Sequence, residues 1–355
     1  MRLLHVFTSL AAASVILLGS WTLMTRADGV NTSIFGKWSP ETHPVQMEWP
    51  ALYDNVDNRP TPASYKHQSP SGVPISIMMT IFNQEGMIEQ IVQALLDTTV
   101  GPYEFIAVFD NCTDESERLV QLVIDKHLET HPFDPNGRSA EGLTAYRPIV
   151  LAKTHYETLS NNVGLRATAY DYGVLIQDDM IMVDHGWDRH LLRPALGYDD
   201  VLAVTGRCAH NDYAENDKDI TFPDKAGPGC GGHNYDYNLD DTFSVRDIAN
   251  RGPLLLDMQK AHELDFFSEE YYPFEMDDHD LCLRGYQQYG WVCGVLPVSV
   301  HAGTSHRKTS NMGPVPQILR DAERVNIART LHRHGPYLRQ RMKHSEERKV
   351  VLEDL

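Results

Sequence analysis

Asp178 and Asp179 stand side by side after the aliphatic run 174–176, which reads as a buried strand. Two carboxylates leaving such a strand emerge at the carboxyl edge of an α/β sheet, where open sheets bind ligands. An unpaired buried carboxylate is prohibitively costly, so the pair needs a divalent cation, sugar hydroxyls or a basic partner. Taken alone, an Asp-Asp pair is as well explained by a strand-to-helix cap or a solvated turn. A second acidic cluster, Glu275-Met-Asp-Asp-His-Asp280, runs into Leu281, Leu283, Tyr286 and Tyr289 at helical spacing and ends at Gly290. Its acids crowd a helix N-terminus, where the dipole favours negative charge. Some of them serve as caps, but a carboxylate within reach of a hydroxyl is also what general-base catalysis requires. Arg166 fits either a surface acid or a phosphate, for which a guanidinium fork is well suited.

These residues need a scaffold that brings them together. Residues 73–82 read as a strand, and apolar Met87, Ile88, Ile91, Val92, Leu95 and Leu96 then follow helical spacing. A second strand over 105–109 ends in Asp110 and leads to a helix over about 115–128. A third strand at 149–152 and a helix over 162–173 feed the Asp-Asp strand, and another strand over 294–300 ends at His301. Such alternation predicts an α/β fold with parallel strands and right-handed crossovers, and it puts the loops 80–85 and 110–114 side by side at the ligand-binding edge. Neither a Gly-x-Gly-x-x-Gly nor a Gly-x-x-x-x-Gly-Lys cradle occurs, so dinucleotide and P-loop readings have no support.

The chain has 355 residues, 42% of them hydrophobic, enough to bury a core. Its 31 basic against 49 acidic residues give a net charge of -18, which argues against nucleic acid or an anionic membrane surface as the main partner. Residues 3–24 are almost uncharged and long enough to span a hydrocarbon core of about 30 Å, so residues 1–27 read as a membrane anchor, with a cleaved signal peptide as the alternative. Proline-rich 28–72 reads as an extended stem. A folded domain over 73–310, with halves 73–185 and 186–310, would precede a basic, solvated helical extension, 311–355.

The series Thr80-x-x-Asn-x-Glu85, Asp110-x-x-Thr-Asp114, Asn162-x-Gly164, Gln177-Asp-Asp179, Glu275 to Arg284 and His301-Ala-Gly303 resembles the family 2 type of GT-A glycosyltransferases, inverting enzymes that use nucleotide sugars. The resemblance covers residues 73–305, roughly two thirds of the chain. It implies a Rossmann-like nucleotide-binding sheet merged with an acceptor-binding half in a single catalytic domain. It also implies that Thr80, Asn83, Glu85 and Asp110 hold the nucleoside, with Asp110 accepting from the N–H of a uracil-like base. Asp179 would lie on the metal and Asp178 near the ribose or donor sugar; Gln177 stands where the family's first Asp is usual. The cofactor implied is Mn2+ or Mg2+, with His301 as a further metal or phosphate ligand and Arg166 or a C-terminal basic residue on the diphosphate. Asp278 falls on the catalytic base, with Asp277, Gly252 and Pro253 on the acceptor side, while Asp280 secures the helix start or Arg284.

The function implied is metal-dependent, inverting transfer of a hexosyl-type sugar from a nucleoside diphosphate donor, UDP foremost, to a hydroxyl of a glycan, lipid or protein. The expected setting is a single-pass type II protein with its catalytic domain in the Golgi or ER lumen or outside the cell. A nucleotidyltransferase-like enzyme and a non-catalytic carbohydrate-binding protein are the alternatives. The five cysteines lack zinc-ribbon spacing, which argues against a structural zinc. In an oxidising compartment Cys282 with Cys293 is the first choice of disulfide and Cys208 with Cys230 the second.

Overall fold

The computed structural model describes residues 64–133, 142–230, 234–235, 241–302, 317–340 and 345–352. The expected anchor and nearly all of the stem lie outside these residues. Among the described residues no helix is long and apolar enough to cross a membrane.

The chain opens with the expected alternation. Strand β1 (Ile75–Ile81) leads to α1 (Ile88–Thr98), β2 (Pro102–Asp110) to α2 (Ser116–Thr130), and β3 (Gly142–Leu151) to α3 (Tyr156–Arg166) and β4 (Tyr172–Gln177). There follow β5 (Met180–Met182), α4 (Trp187–Gly197), β6 (Val201–Thr205), β7 (Ala209–His210), β8 (Asn234–Tyr235), β9 (Thr242–Arg246) and β10 (Ile248–Ala249). The second half continues with β11 (Leu254–Asp257), α5 (Met258–Glu263), α6 (Asp277–Tyr289), β12 (Val292–Val295), β13 (Val300–Ala302), α7 (Gln317–Gln340) and β14 (Glu346–Lys349). One nine-stranded sheet has the order β14-β9-β12-β6-β11-β4-β1-β2-β3. Strands β3, β2, β1 and β4 run parallel, while β11 is antiparallel to both of its neighbours, β4 and β6. The fold is therefore the expected α/β class.

Period-two alternation of the strands sorts the core onto both sheet faces, the pattern of parallel strands covered on both sides. Ile75, Ile77, Met79 and Ile81 of β1 pack with Phe105 and Phe109 of β2 against Ile91, Leu95 and Ile124 on α1 and α2. Met78, Ile106, Val108 and Leu175 face the other way, toward Leu165, Leu281 and Leu283. Gly164 is what lets α3 lie so close: a Cβ there would stand 2.1 Å from Met78 Cε and 3.1 Å from Val108 Cγ2.

Three expectations need correction. The helix expected over 162–173 spans Tyr156–Arg166, because Asp110 caps it earlier than its apolar pattern indicated. The strand expected over 294–300 is two strands in different sheets: β12 lies in the large sheet, and β13 pairs with β5 and β8. The C-terminal basic segment is not a solvated tail. Asn326, Arg329 and His334 of α7 are buried, and β14 extends the main sheet beside β9. Its guanidinium groups tolerate burial because acids and carbonyls await them: Arg333 Nη1 donates to Asp280 Oδ1 at 2.7 Å, and Arg329 Nη1 donates to the Glu270 carbonyl.

Candidate active site

Thr80, at the end of β1, is in register with Val108 on one side and Gln177 on the other, so three parallel strands end level. Their loops are clasped together at this edge. Asn83, in a left-handed conformation at φ 48°, accepts the Thr113 amide at 2.8 Å, and Glu85 Oε2 accepts the Glu115 amide at 3.2 Å. Thr80 Oγ1 donates to Asn161 Oδ1 at 2.8 Å. Asp110, buried at the end of β2, accepts the amides of His155 and Tyr156 at 2.7 and 2.9 Å. Its carboxylate thus caps α3, a demand that the expectation of a base-binding carboxylate left out. The Tyr156 ring meets Tyr272 edge-on at 5.7 Å beside it.

Capping at this edge makes α3 the link between the two acidic clusters. Its first turn carries Glu157, which accepts from Gln177 Nε2 at 3.1 Å, and Thr158, which donates to Asp277 Oδ2 at 2.8 Å. Asp178 and Asp179 lie half-buried between β4 and β5, and Asp178 Oδ2 accepts the Phe82 amide at 2.9 Å. Antiparallel pairing of β11 with β4 sets Leu254 against Leu175, which brings Arg251, Gly252 and Pro253 to the same edge. Arg251 Nη1 donates to Asp277 at 2.9 Å and stands 3.4 Å from Glu157 Oε1, while its amide donates to Asp278 Oδ2 at 3.1 Å. One buried guanidinium therefore joins the cluster opening α6 to Glu157, which in turn holds Gln177 at the end of β4. Glu157, Thr158 and Arg251 carried no motif to betray them in the sequence. Only the capping of α3 and the register of β11 place them.

The charges at this edge are strongly perturbed. Burial opposes the charge of Arg251, but Asp277, Glu157 and Asp278 outweigh it and hold the guanidinium above its ordinary range. Burial pushes Asp277 up to about 6 against the pull of Arg251. Burial pushes Glu275 up to about 7, with Glu157, Asp278 and Asp277 adding to the effect and Arg251 opposing it. Asp278 goes the other way: burial would raise it, but Arg251, His279 and the backbone amides of both hold its carboxylate ionised. Neighbouring carboxylates pushed apart in this way are the usual signature of divided acid and base roles.

His301 lies opposite Ile181 in the β13–β5 pair, two residues along from Asp179. Asp179 belongs to the turn that opens β5, and the β13–β5 pairing brings His301 to that short strand. The donor set of carboxylates with one imidazole suits Mn2+ well and the all-oxygen preference of Mg2+ less well. Arg166 does not join the site. It is the last residue of α3, about 15 Å from the capped end by the helical rise, and it pairs with Glu269 at 3.0 Å and Asp265 at 3.3 Å. Asp280 is turned away from the cluster, as expected, accepting from Arg284 Nε at 2.6 Å and from Arg333.

Cys208 and Cys230 form a disulfide with Cα atoms 5.0 Å apart, whereas Cys282 and Cys293, the first choice, are both free and buried. Among the described residues His210, Asp212 and His279 bring one ligand atom each within 4.8 Å of the others. His279 Nδ1 lies 2.8 Å from Asp212 Oδ2. Burial would lower His279, but Asp212 outweighs it and raises the imidazole to about 9. The signal in the sequence was a His-x-Asp spacing in a segment that folds as extended chain.

No family model and no curated protein matches the sequence. Solved structures do. Against Staphylococcus aureus TarS 1–349 in complex with UDP-GlcNAc the identity is 13% over 65% of this chain and 58% of that one, with a TM-score of 0.43. The chain spans 36% of the longer S. aureus TarS structure. Against the mannosyltransferase PcManGT from Pyrobaculum calidifontis, in complex with GDP-Man and Mn2+, the values are 12%, 67%, 58% and 0.45. Against glucosyl-3-phosphoglycerate synthase from Mycobacterium tuberculosis, with Mg2+ and UDP, they are 14%, 72%, 79% and 0.41. The chain is similar to solved glycosyltransferase structures.

Proposed function

We propose that this chain is a metal-dependent, inverting glycosyltransferase that moves a sugar from a nucleoside diphosphate donor, UDP-linked, to a hydroxyl acceptor. The observation that carries the reading is that the sheet edge where Asp178–Asp179 leave β4 also receives Arg251, which pairs with Asp277–Asp278 at the start of α6 and with Glu157, the partner of Gln177 at the end of β4. Asp179 and His301 would hold the Mn2+ or Mg2+, which when bound neutralises charge gathering on the diphosphate. Asp278 takes the proton of the acceptor hydroxyl as its oxygen bonds to the anomeric carbon, and the bond from that carbon to the diphosphate oxygen breaks on the opposite face. One base and one displacement give inversion. Arg251 keeps Asp278 ionised, and Thr158 and Arg251 fix Asp277 beside it.

Glu275 is the second choice of base, because its pKa near 7 is matched to neutral operation. The hydrophobic segment 3–24 and the Cys208–Cys230 disulfide support a membrane-anchored protein whose folded part lies in an oxidising compartment.

The test is release of free sugar from a panel of UDP- and GDP-sugars with Mn2+ or Mg2+. Metal-dependent hydrolysis is expected with at least one donor. Asp278→Asn should lower it by about 10²- to 10⁴-fold while UDP affinity by calorimetry stays close to that of the unaltered chain. Asp179→Ala should abolish the metal dependence of UDP binding. Sugar binding without turnover on any donor would instead make the chain a carbohydrate-binding protein.

A further inference from the structure

We propose that His210, Asp212 and His279 form a second metal site, for a zinc-class transition ion, that fastens a disulfide-closed excursion of the chain to the first turn of α6. It shares no residue with the donor site and does not rest on the glycosyl-transfer reading.

The excursion runs from Cys208 to Cys230, closed by the disulfide, and its two arms pair antiparallel at Ala209 with Ala226 and at Tyr213 with Thr221. His210 and Asp212 are two residues apart on one extended arm, so they project on the same face. His279, the third residue of α6, meets them from the other side. All three are buried, with 4%, 2% and 6% of their surfaces exposed.

Their contacts leave a gap that a cation would fill. His279 Nδ1 is 2.8 Å from Asp212 Oδ2, and His210 Nδ1 is 3.3 Å from Asp212 Oδ1. Neither His210 Nδ1 nor Asp212 Oδ1 has a hydrogen-bond partner, although both atoms are buried. A buried nitrogen and a buried carboxylate oxygen facing each other without a hydrogen bond are what two ligands of a missing ion look like. Tetrahedral bonds of about 2.0–2.1 Å set ligand atoms roughly 3.3 Å apart, the separation of His210 Nδ1 from Asp212 Oδ1, and the three ligand atoms all lie within 4.8 Å of one another. Two imidazoles and one carboxylate favour zinc and its neighbours over Mg2+ or Ca2+.

The surroundings suit such an ion. The Phe222 ring lies 5.0 Å from the His210 ring and 5.5 Å from that of His279, forming an apolar wall. A cation on His279 Nδ1 would leave the proton on Nε2, which stands 4.0 Å from Asp278 Oδ1.

Elemental analysis of the untagged full chain, purified without chelator, should find one equivalent of zinc per chain. His210→Gln and His279→Gln should each lose it, and Asp179→Asn should keep it. Zinc retained by both histidine variants, or lost only from Asp179→Asn, overturns the proposal. Because a histidine variant can fail to fold, the unaltered chain is also stripped with a chelator and titrated with Co2+. A visible spectrum of tetrahedral intensity, with an endpoint at one equivalent, is expected. A weak octahedral spectrum or the lack of an endpoint overturns the proposal and leaves a hydrogen-bonded His-Asp-His cluster.

Discussion

Single residues at the junction of the two acidic clusters differ most in how tightly their charge is held. Burial would raise Asp278, but Arg251, His279 and two backbone amides keep it ionised, so the acid limb of kcat/KM should lie below the ordinary carboxylate range. A limb near pH 7, together with loss of activity in Glu275→Gln, would move the role of base to Glu275. The same glutamate makes a prediction for stability. Burial raises its folded pKa to about 7, above the ordinary value of 4.5, so the fold binds a proton there that the unfolded chain releases. Its contribution is fully present below pH 4.5 and lost as pH rises through 7. Glu275→Gln should therefore leave stability near pH 4.5 little changed and raise it at pH 8, by up to about 3 kcal/mol at 1.36 kcal/mol per unit. Urea titrations at the two pH values check it, and equal differences at both would discard this account of Glu275.

At the scale of elements, the site depends on how closely β11 approaches β4. Gly252 has φ 73°, and a Cβ there would stand 2.5 Å from Met180 Sδ and 2.8 Å from Gln177 Oε1. Gly252→Ala should cost about 1–3 kcal/mol through overpacking and left-handed strain, and should reduce turnover by displacing Arg251. A variant with unaltered turnover would show that this approach does not position the guanidinium. Helix α7 docks through Asp280, which receives Arg284, Arg333 and, at 2.9 Å, His334. Removing that one acid strands three cationic or polar partners in a dry place. Asp280→Ala should destabilise the fold by about 3–5 kcal/mol, read from chemical denaturation, and a loss under 1 kcal/mol would mean that α7 is held by its apolar contacts.

For the whole molecule, the disulfide decides how far from its folded form the 208–230 segment can stray. Its sequence separation of 22 corresponds to about 3 kcal/mol in the loop-entropy account. Cys208→Ser should lower stability by that amount. Peptide mapping without reductant should recover Cys208 joined to Cys230, with Cys112, Cys282 and Cys293 alkylated after unfolding. A recovered Cys282–Cys293 peptide pair would contradict the structure.

The sequence by itself determined the strand and helix alternation, the exit of Asp178 and Asp179 from β4 and the acids at the start of α6. Hydrophobic periodicity and helix-end chemistry are local, and a single chain carries them. Only the tertiary structure decided which acids face each other. Arg251 reaches Asp277 because β11 runs antiparallel to β4, Glu157 and Thr158 reach the site because Asp110 caps α3 at residue 155 and not further on, and Arg166 falls at the far end of that helix. The docking of α7 was hidden for the same reason: a row of arginines reads as a solvated face until Asp280 and the carbonyls that receive them are brought near. The His210, Asp212 and His279 group joins residues 67 positions apart in the chain, and only pairing within the excursion and its contact with α6 set them around one point.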